Sequence, residues 1–260
     1  MEFKFELTKK IKEFLKDCNI NEIGIGYSDS QVIKIEKGSK IYYLKMAKEG
    51  LLTNEYSKLN WLENKIDKLV PHIVLYEVEN NVEYLITESL KGEMVCSDFY
   101  LKNPSLGIPV VVEAFKKIYE IDITDCPYNV SLDYKLNLVK YNIDNKLIEI
   151  ENVDKKVLDK YKTLEGIYKY LVDNRFEEEL CFSHGDISLP NIYADNNHFS
   201  GFLDVGDCGI ADKWFDIAIA TRTIKFNYGD EYLKDFYDGI GVIPDYKKID
   251  YYLLMMELYL

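Results

Sequence analysis

Three polar side chains in the C-terminal half of the sequence have the types and spacing that a hard-cation site needs. Asn191 follows Asp186 by five residues, and Asp204 comes after a further apolar run. Residues 191–194 and 199–203 alternate as strands around a turn at 195–197, so a hairpin would bring Asn191 and Asp204 side by side. Their oxygens suit Mg²⁺, which keeps coordination positions open for phosphate. Asp186, on the preceding loop, could orient or deprotonate a hydroxyl nucleophile. The plainer alternative is that Asp186 caps a turn and the other two are loop residues.

A lysine and a glutamate upstream form a second candidate group. Strand alternation over residues 40–46 places Tyr43 and Lys45 on one face, where the ammonium could meet phosphate oxygens and the ring could cover a base. Glu55 lies on the apolar stripe of the next helix, where a carboxylate needs a partner, and Lys45 is the natural one. The alternatives are an exposed strand lysine and a first-turn glutamate that favours the helix dipole. A turn around Ser28 could cover phosphates, but it is not a Walker loop.

The elements that must carry these residues follow from periodicity. Apolar spacing predicts helices over residues 3–18 and 54–69. Alternation between turn signals predicts strands, which pair as two hairpins: 32–36 with 40–46, and 73–78 with 82–87. After Gly92 the pattern is mostly helical, interrupted by strand and loop near residues 180–204. Residues 144–162 are charged and poorly patterned, which fits either a mobile loop or a solvated helix.

These elements predict an α+β protein with two lobes. Residues 1–88 would form a small N-terminal lobe with an antiparallel sheet and a helix. Residues 89–260 would form a larger, mainly helical C-terminal lobe, after a connector near residues 88–92.

Composition narrows the class of protein further. The 260 residues carry 32 Lys and Arg against 45 Asp and Glu, a net charge of −13. Duplex nucleic acid requires a basic face, so no nucleic-acid partner is predicted, whereas a cationic small molecule fits the charge. Five scattered cysteines without a Cys-x-x-Cys pair indicate a reducing compartment. Neither a signal peptide nor an apolar run of membrane-spanning length is evident, so we expect a cytoplasmic protein without a membrane partner.

The strand lysine, helix glutamate, Asp-x4-Asn and hairpin-linked aspartate together resemble the eukaryotic-type protein kinase fold. The His-Gly-Asp form at 184–186, within residues 182–216, resembles specifically the aminoglycoside 3′-phosphotransferases. Further similar segments extend the resemblance over nearly the whole chain: 42–46, 61–65, 121–132 and 249–258. The resemblance implies an ATP- and Mg²⁺-dependent enzyme that phosphorylates the 3′-hydroxyl of a cationic aminoglycoside antibiotic and so confers resistance. Whether GTP replaces ATP is left open.

The resemblance also implies a role for each matching residue. Asp186 would be the catalytic aspartate, and Asn191 and Asp204 would hold magnesium. Lys45 would contact the α- and β-phosphates, positioned by Glu55. The other nucleotide contacts would come from Tyr43 stacking on the adenine, Ser28 at the β-phosphate, and Thr87, Glu88 and Ser89 in the hinge that meets the base. His184 and Asp216 are expected to order the catalytic loop rather than to perform chemistry.

Acidic side chains should receive the amino groups of the drug. The resemblance points to Asp154 and Glu257, with Glu149, Glu151 and the C-terminal carboxylate as further candidates. The departures from the family pattern fall on this side: Asp207 replaces a usual arginine, Phe226 and Met256 replace acidic residues, and the chain runs one residue past Tyr259. The acceptor could therefore be another hydroxylated small molecule, such as a different antibiotic or a sugar metabolite.

Two further classes of protein are disfavoured. A nucleotide-binding pseudokinase does not fit, because all five expected catalytic positions are intact. A protein kinase does not fit either, because there is no Ala-Pro-Glu segment and no evident activation loop after Gly206.

Overall fold

The computed structural model describes residues 3–23, 30–66 and 68–259. The strands in chain order are β1 (Asn19–Ile23), β2 (Gln31–Lys37), β3 (Lys40–Lys48), β4 (Ile73–Glu79), β5 (Val82–Glu88), β6 (Glu93–Met94), β7 (Leu180–Ser183), β8 (Ile192–Asp195), β9 (His198–Phe202) and β10 (Gly209–Asp212). The helices are α1 (Lys9–Phe14), α2 (Thr53–Glu63), α3 (Asp98–Lys102), α4 (Pro104–Tyr119), α5 (Leu132–Asp144), α6 (Lys155–Tyr161), α7 (Leu164–Asp173), α8 (Lys213–Asn227), α9 (Leu233–Ile240) and α10 (Tyr246–Met256).

The chain divides into two compact units. Unit 1 comprises Met1–Glu93, Tyr193–Asn196 and Ser200–Gly206. Unit 2 comprises Met94–Ile192, Asn197–Phe199 and Asp207–Leu260. Asp204 therefore belongs to unit 1, whereas Asp186 and Asn191 belong to unit 2.

Unit 1 is built on an antiparallel sheet with the strand order β1-β2-β3-β5-β4 among its described residues. Lys37 pairs with Lys40, which leaves Gly38, with φ +62°, in a two-residue turn. Asn80 and Asn81 have φ of 53° and 61° in the turn between β4 and β5. Positive φ at both central residues is the turn geometry that suits the twist of a hairpin. Both predicted hairpins are thus confirmed.

The two faces of this sheet are covered by different helices. Ile11 of α1 packs with Leu44 and Met46 in a core that lies on one face. Leu52, just before α2, packs with Ala47 and Leu85 in a second cluster. The ring of Tyr56 on α2 also stacks on Tyr76 of β4, with centroids 3.8 Å apart. These contacts hold α2 against the sheet that carries Lys45.

Both predicted helices of unit 1 are shorter than expected. The first begins only at Lys9, because the Thr8 hydroxyl caps it by accepting the N–H of Ile11 at 3.2 Å. Phe3, Phe5 and Leu7 pack against the core outside the helix. The second ends at Glu63 rather than residue 69. The Glu63 carboxylate accepts the N–H of Ile73 at 3.3 Å, so the chain turns back toward β4.

Unit 2 is mainly helical, and nine of the fifteen residues of α8 are buried. Strand β7 pairs antiparallel with β10, so that Ser183 lies opposite Gly209. The uncertain stretch 144–162 contains a 3₁₀ turn at Ile150–Asn152 and helix α6, which agrees with the solvated-helix alternative. Among the described helices, none combines the length and apolar character needed to cross a membrane.

The predicted hairpin after Asn191 is present as β8 and β9. Its turn consists of Asn196 and Asn197, with φ of 53° and 62°. This is the same two-residue geometry as the turn between β4 and β5, one residue shorter than the predicted turn at 195–197.

Candidate active site

Lys45 and Glu55 form the ion pair that the sequence predicts. The ammonium on β3 lies 2.9 and 2.7 Å from the two carboxylate oxygens on α2. The side chains are only 29% and 22% exposed, so the pair is partly withdrawn from water. Such a bond fixes the direction of the lysine side chain. Its role toward phosphates stays a prediction.

Tyr43 and the hinge residues lie on neighbouring strands of unit 1. Tyr43 pairs with Thr87 across β3 and β5. The backbone N–H of Glu88 donates to His72 O, and that of Ser89 donates to Ile41 O, both at 2.9 Å. These two N–H groups are therefore engaged by the protein, and a base could use either only by displacing that bond.

Glu88 and Ser28 were also predicted to lie on the nucleotide side. The Glu88 carboxylate forms a 3.0 Å ion pair with Lys40, which directs its side chain to β3. Ser28, expected at the β-phosphate, lies outside the described residues.

Glu83, which the sequence analysis missed, holds the start of α2. Its fully buried carboxylate accepts hydrogen bonds from the N–H of Leu52, from the Thr53 hydroxyl and, at 2.6 Å, from the Tyr76 hydroxyl. Burial by itself would raise the pKa of Glu83, but these hydrogen bonds together lower it. A strand residue 31 positions away thus supplies the cap that α2 lacks in its own sequence.

Asp204 lies in unit 1 with its side chain exposed and its backbone in the left-handed region, at φ +54°. The carbonyl oxygen of Gly206, two residues on, accepts hydrogen bonds from Asn54 Nδ2 at 2.7 Å and from Lys58 Nζ at 2.8 Å. Both donors were missed because polar residues at these helix positions resemble a solvated face.

Asp186 and Asn191 are brought together in unit 2. The amide nitrogen of Asn191 lies 2.9 Å from Asp186 Oδ2 and 2.9 Å from Asp186 O. It also donates to Ser188 Oγ at 3.3 Å. The nitrogen is the donor in all three bonds, so the amide oxygen is the atom that would serve a cation. The carboxylate of Asp186, half-buried, is thereby held in one orientation.

Asp216 braces the loop that carries Asp186. Its carboxylate accepts hydrogen bonds from Ser183 Oγ at 2.9 Å and from the N–H groups of His184 and Gly185 at 2.7 and 3.1 Å. Complete burial raises the pKa of Asp216, while His184 and the loop hydrogen bonds oppose that rise. The expectation that Asp216 is structural is confirmed.

His184 also has a structural place. It is 1% exposed, and its Nδ1 accepts the N–H of Asp186 at 3.2 Å. The histidine therefore sets the course of the backbone into Asp186, as expected for a residue that orders the loop.

The donor chemistry of Asn191 and Asp204 fits magnesium. An amide oxygen and an exposed carboxylate are hard oxygen ligands of the kind Mg²⁺ takes together with phosphate and water. No group of three His, Cys, Asp or Glu side chains within the described residues could hold a metal by itself.

The predicted acceptor residues Asp154 and Glu257 are neighbours in unit 2. The N–H of Asp154 donates to Glu257 Oε2 at 2.8 Å, while Asp154 Oδ1 caps α6 by accepting the N–H of Lys156 at 2.7 Å. Both line a cavity of about 840 Å³. Its charged lining also includes Asp245, Asp250, Lys156, Lys160, Lys247 and Lys248. Asp186 is not among the residues that line this cavity.

Side chains of α5 contact the last described residues of the chain. Asn142 Nδ2 donates to Leu258 O at 3.2 Å. The ammonium of Lys135, which is 1% exposed, lies 3.5 Å from the ring centroid of Phe215 and 5.1 Å from that of Tyr259. Cation–π contacts of this kind stabilise a desolvated lysine. The segment with Glu257 is thus held in place by side chains that the sequence analysis did not select.

The departures from the family pattern lie at accessible positions. Phe226, near the end of α8, is 87% exposed, and Asp207 is exposed as well. Met256 and Glu257 are half-buried.

A strand lysine paired with a helix glutamate and a braced Asp-Asn loop are the working parts of a phosphotransferase. Residues 19–252 match the Phosphotransferase enzyme family. A relative named aminoglycoside 3′-phosphotransferase from Campylobacter jejuni is 34% identical over 241 residues, covering 90% of this chain and 94% of the relative. One of the same name from Enterococcus faecalis is 32% identical over 265 residues, covering 98% and 99%. The chain belongs to the phosphotransferase enzyme family, in its aminoglycoside 3′-phosphotransferase branch.

Solved structures agree in fold. The crystal structure of aminoglycoside-3′-phosphotransferase of type VIII matches with a TM-score of 0.79 at 22% identity, over 93% of this chain and 94% of that one. Aminoglycoside phosphotransferase APH(3″)-Id from Streptomyces rimosus matches with a TM-score of 0.80 at 18% identity, over 95% of each chain. The predicted α+β, protein-kinase-like fold is thereby confirmed.

Proposed function

We propose that this phosphotransferase moves the γ-phosphoryl group of ATP to the 3′-hydroxyl of an aminoglycoside and so inactivates the drug. The observation that carries the proposal is the Asp186–Asn191 pair on a loop braced by Asp216, in a chain about one-third identical to aminoglycoside 3′-phosphotransferases over nearly its whole length. A solved relative, APH(3″)-Id, was crystallised with ADP and streptomycin, which supports a nucleotide and an aminoglycoside as the two ligands.

The transfer itself needs positioning and charge neutralisation more than covalent help. The acceptor oxygen forms a bond to the γ-phosphorus as the bond from that phosphorus to the bridging oxygen of ADP breaks. Asp186 orients the acceptor hydroxyl and receives its proton. Lys45, held by Glu55, neutralises the α- and β-phosphates. Asn191 and Asp204 would hold magnesium, which would supply charge neutralisation at the phosphates.

The nucleotide-binding side of the proposal lies in residues 1–88. Tyr43 would stack on the adenine, and the base would meet the hinge formed by Thr87, Glu88 and Ser89. Because Ser89 donates its N–H to Ile41, the base would have to displace that bond to use it. Ser28 keeps its proposed place at the β-phosphate, and GTP remains an alternative to ATP.

The acceptor side would lie in residues 89–260. Asp154 and Glu257 adjoin each other, which supports a shared role in binding amino groups. Glu149 and Glu151 remain further candidates. The reducing environment that the cysteines indicate makes the cytoplasm the proposed location.

A second acceptor class has its own support. The cavity beside Asp154 and Glu257 is lined by as many lysines as acidic residues, and Phe226 and Met256 occupy positions where the resemblance places acidic residues. These observations favour a hydroxylated small molecule less cationic than an aminoglycoside as the alternative substrate.

The test is nucleotide turnover in a coupled assay with ATP and Mg²⁺. Kanamycin, neomycin, a 3′-deoxy aminoglycoside and simple sugars serve as acceptors. We expect turnover with kanamycin, none with the 3′-deoxy drug, and none for Asp186→Asn with an unchanged melting temperature. Turnover with a sugar but with no aminoglycoside would establish the second class instead. Turnover of the 3′-deoxy drug would refute the 3′ assignment.

A further inference from the structure

One turn of helix α2 carries two different functional contacts. Glu55 reaches Lys45, while Asn54 and Lys58 reach the carbonyl oxygen of Gly206, at 2.7 and 2.8 Å. Asn54 and Lys58 are four residues apart and so share a helix face. A Cβ built on Gly206 would lie 3.9 Å from the Cβ of Glu55, so the Gly206 backbone runs directly beside this turn.

Lys58 is an unusual residue for its position. It is 5% exposed and lies on α2 next to the buried Leu59. Burying an ammonium is costly unless hydrogen bonds to it offset the lost hydration. A charge-assisted bond to a backbone carbonyl does this, and the bond spans 148 residues of sequence. An apolar side chain would fill the same space without that cost, but it could not donate to the Gly206 carbonyl.

The backbone from Asp204 to Gly206, which Lys58 contacts, has an unfavourable conformation. Asp204 has φ +54°, a conformation that is unfavourable for a non-glycine residue and persists only where the surroundings impose it. Its side chain is exposed, so packing of that side chain does not fix it. Val205–Asp207 follow as a 3₁₀ turn, and Gly206 is the middle residue of that turn. Holding the Gly206 carbonyl therefore holds the backbone that presents Asp204.

We propose that Lys58, assisted by Asn54, is a positioning residue for Asp204. The hydrogen bonds from α2 to the Gly206 carbonyl set the direction of the Asp204 carboxylate. The same turn of α2 carries Glu55, which directs Lys45. The inference rests on the proposed function in one respect: Asp204 is taken to be a magnesium ligand. It deepens that function by making α2 a common support for phosphate and metal contacts.

The test compares Lys58→Met and Asn54→Ala with Lys58→Arg and with Lys65→Met. Lys65 is a matched control, since it lies seven residues on and its ammonium contacts Trp61 instead. The first readout is hydrogen exchange of the backbone at residues 203–208. The second is the affinity for ADP measured with and without Mg²⁺, which requires no acceptor.

We expect Lys58→Met to accelerate exchange at residues 203–208 and to weaken the Mg²⁺-dependent gain in ADP affinity by about tenfold. ADP affinity without Mg²⁺ should not change. Lys58→Arg should restore part of the gain, and Lys65→Met should behave as the wild type. If Lys58→Met does not fold, Asn54→Ala gives the same readouts from an exposed side chain.

Unchanged exchange and unchanged Mg²⁺-dependent affinity in both variants would overturn the inference. The inference would also be overturned if the wild-type protein bound ADP equally tightly with and without Mg²⁺, because Asp204 would then hold no metal. Failure of the proposed function looks different: the wild type would phosphorylate no aminoglycoside while Lys58→Met still lost its Mg²⁺-dependent gain.

Discussion

Gly185 lies against the backbone carbonyl of Asp207, so close that a Cβ at position 185 would stand under 3.0 Å from that oxygen. Its φ is +88°, in the region that favours glycine. Its N–H also donates to Asp216 at 3.1 Å. The residue before Asp186 is thus confined on two sides, and a glycine there follows from the course of the loop.

Gly185→Ala should damage both stability and turnover. The added methyl group collides with backbone, which cannot rotate away, and the positive φ adds strain. We expect a loss of about 3 kcal/mol in the free energy of unfolding and a fall in kcat of about 100-fold from misplacement of Asp186. Urea unfolding and turnover measure the two effects.

Gly38→Ala is the matched control for this change. Gly38 has φ +62° but no atom within 4 Å of an added Cβ. It should lose about 1 kcal/mol of stability and keep its kcat. Equal effects of the two substitutions on kcat would show that the contact with Asp207 does not position Asp186.

Glu83→Gln should loosen α2 at its start. The amide lacks the negative charge that strengthens all three hydrogen bonds, and its NH₂ group would take the place of Oε1, so the Thr53 and Tyr76 hydroxyls would have to turn round and accept. We expect a loss of about 2–3 kcal/mol in the free energy of unfolding. Tyr76→Phe, which removes one donor and leaves the carboxylate, should cost about 1 kcal/mol in the same urea measurement. A Glu83→Gln protein as stable as the wild type would refute the capping role.

The Lys45–Glu55 pair should show strong coupling in nucleotide binding. Lys45→Met should lower kcat/KM for ATP by about 100-fold, because a phosphate contact is lost. Glu55→Gln should act only through Lys45, so adding it to Lys45→Met should cost nothing more. A double-mutant cycle on kcat/KM measures this coupling. Additive losses would mean that Glu55 has a function independent of Lys45.

The features that sequence could predict are those with local causes. The asparagine pairs at 80–81 and 196–197 favour positive φ, so the β4–β5 and β8–β9 hairpins were predicted from their turns. The meeting of Lys45 with Glu55 followed from strand alternation and helix periodicity, because a partly buried carboxylate needs a cation. In each case the determining residues lie within a few positions of the element.

The missed features have distant causes. Glu83 was assigned only to a strand, and its partner helix begins some 30 residues earlier in the chain. In the sequence, Lys58 and Asn54 have the pattern of a solvated helix face. Only the fold shows that both donate to the carbonyl oxygen of Gly206. The ends of α1 and α2 were mispredicted because apolar spacing extends beyond Thr8, which caps α1, and beyond Glu63, whose carboxylate accepts the N–H of Ile73. Hydrogen bonds from side chains to the backbone leave no periodic signal.

Glu179 gives unit 2 a pH-dependent contribution to stability. Hydrogen bonds from Lys213 and Trp214, and a further one from Lys248, lower its pKa to about 2. A depressed carboxyl pKa adds stability above the unfolded value, and that stability disappears as pH falls toward the folded value. We expect Glu179→Gln to lower the free energy of unfolding by about 1 kcal/mol at pH 7, since the side chain is half-exposed and screened by water.

Urea unfolding from pH 7 to pH 3 checks the pH dependence of this effect. The difference in the free energy of unfolding between Glu179→Gln and the wild type should stay constant above the ordinary glutamate pKa and shrink below it. Glu165→Gln, an exposed substitution on α7, should differ little from the wild type at pH 7. A Glu179 difference that persists undiminished at pH 3 would show that packing, not charge, accounts for it.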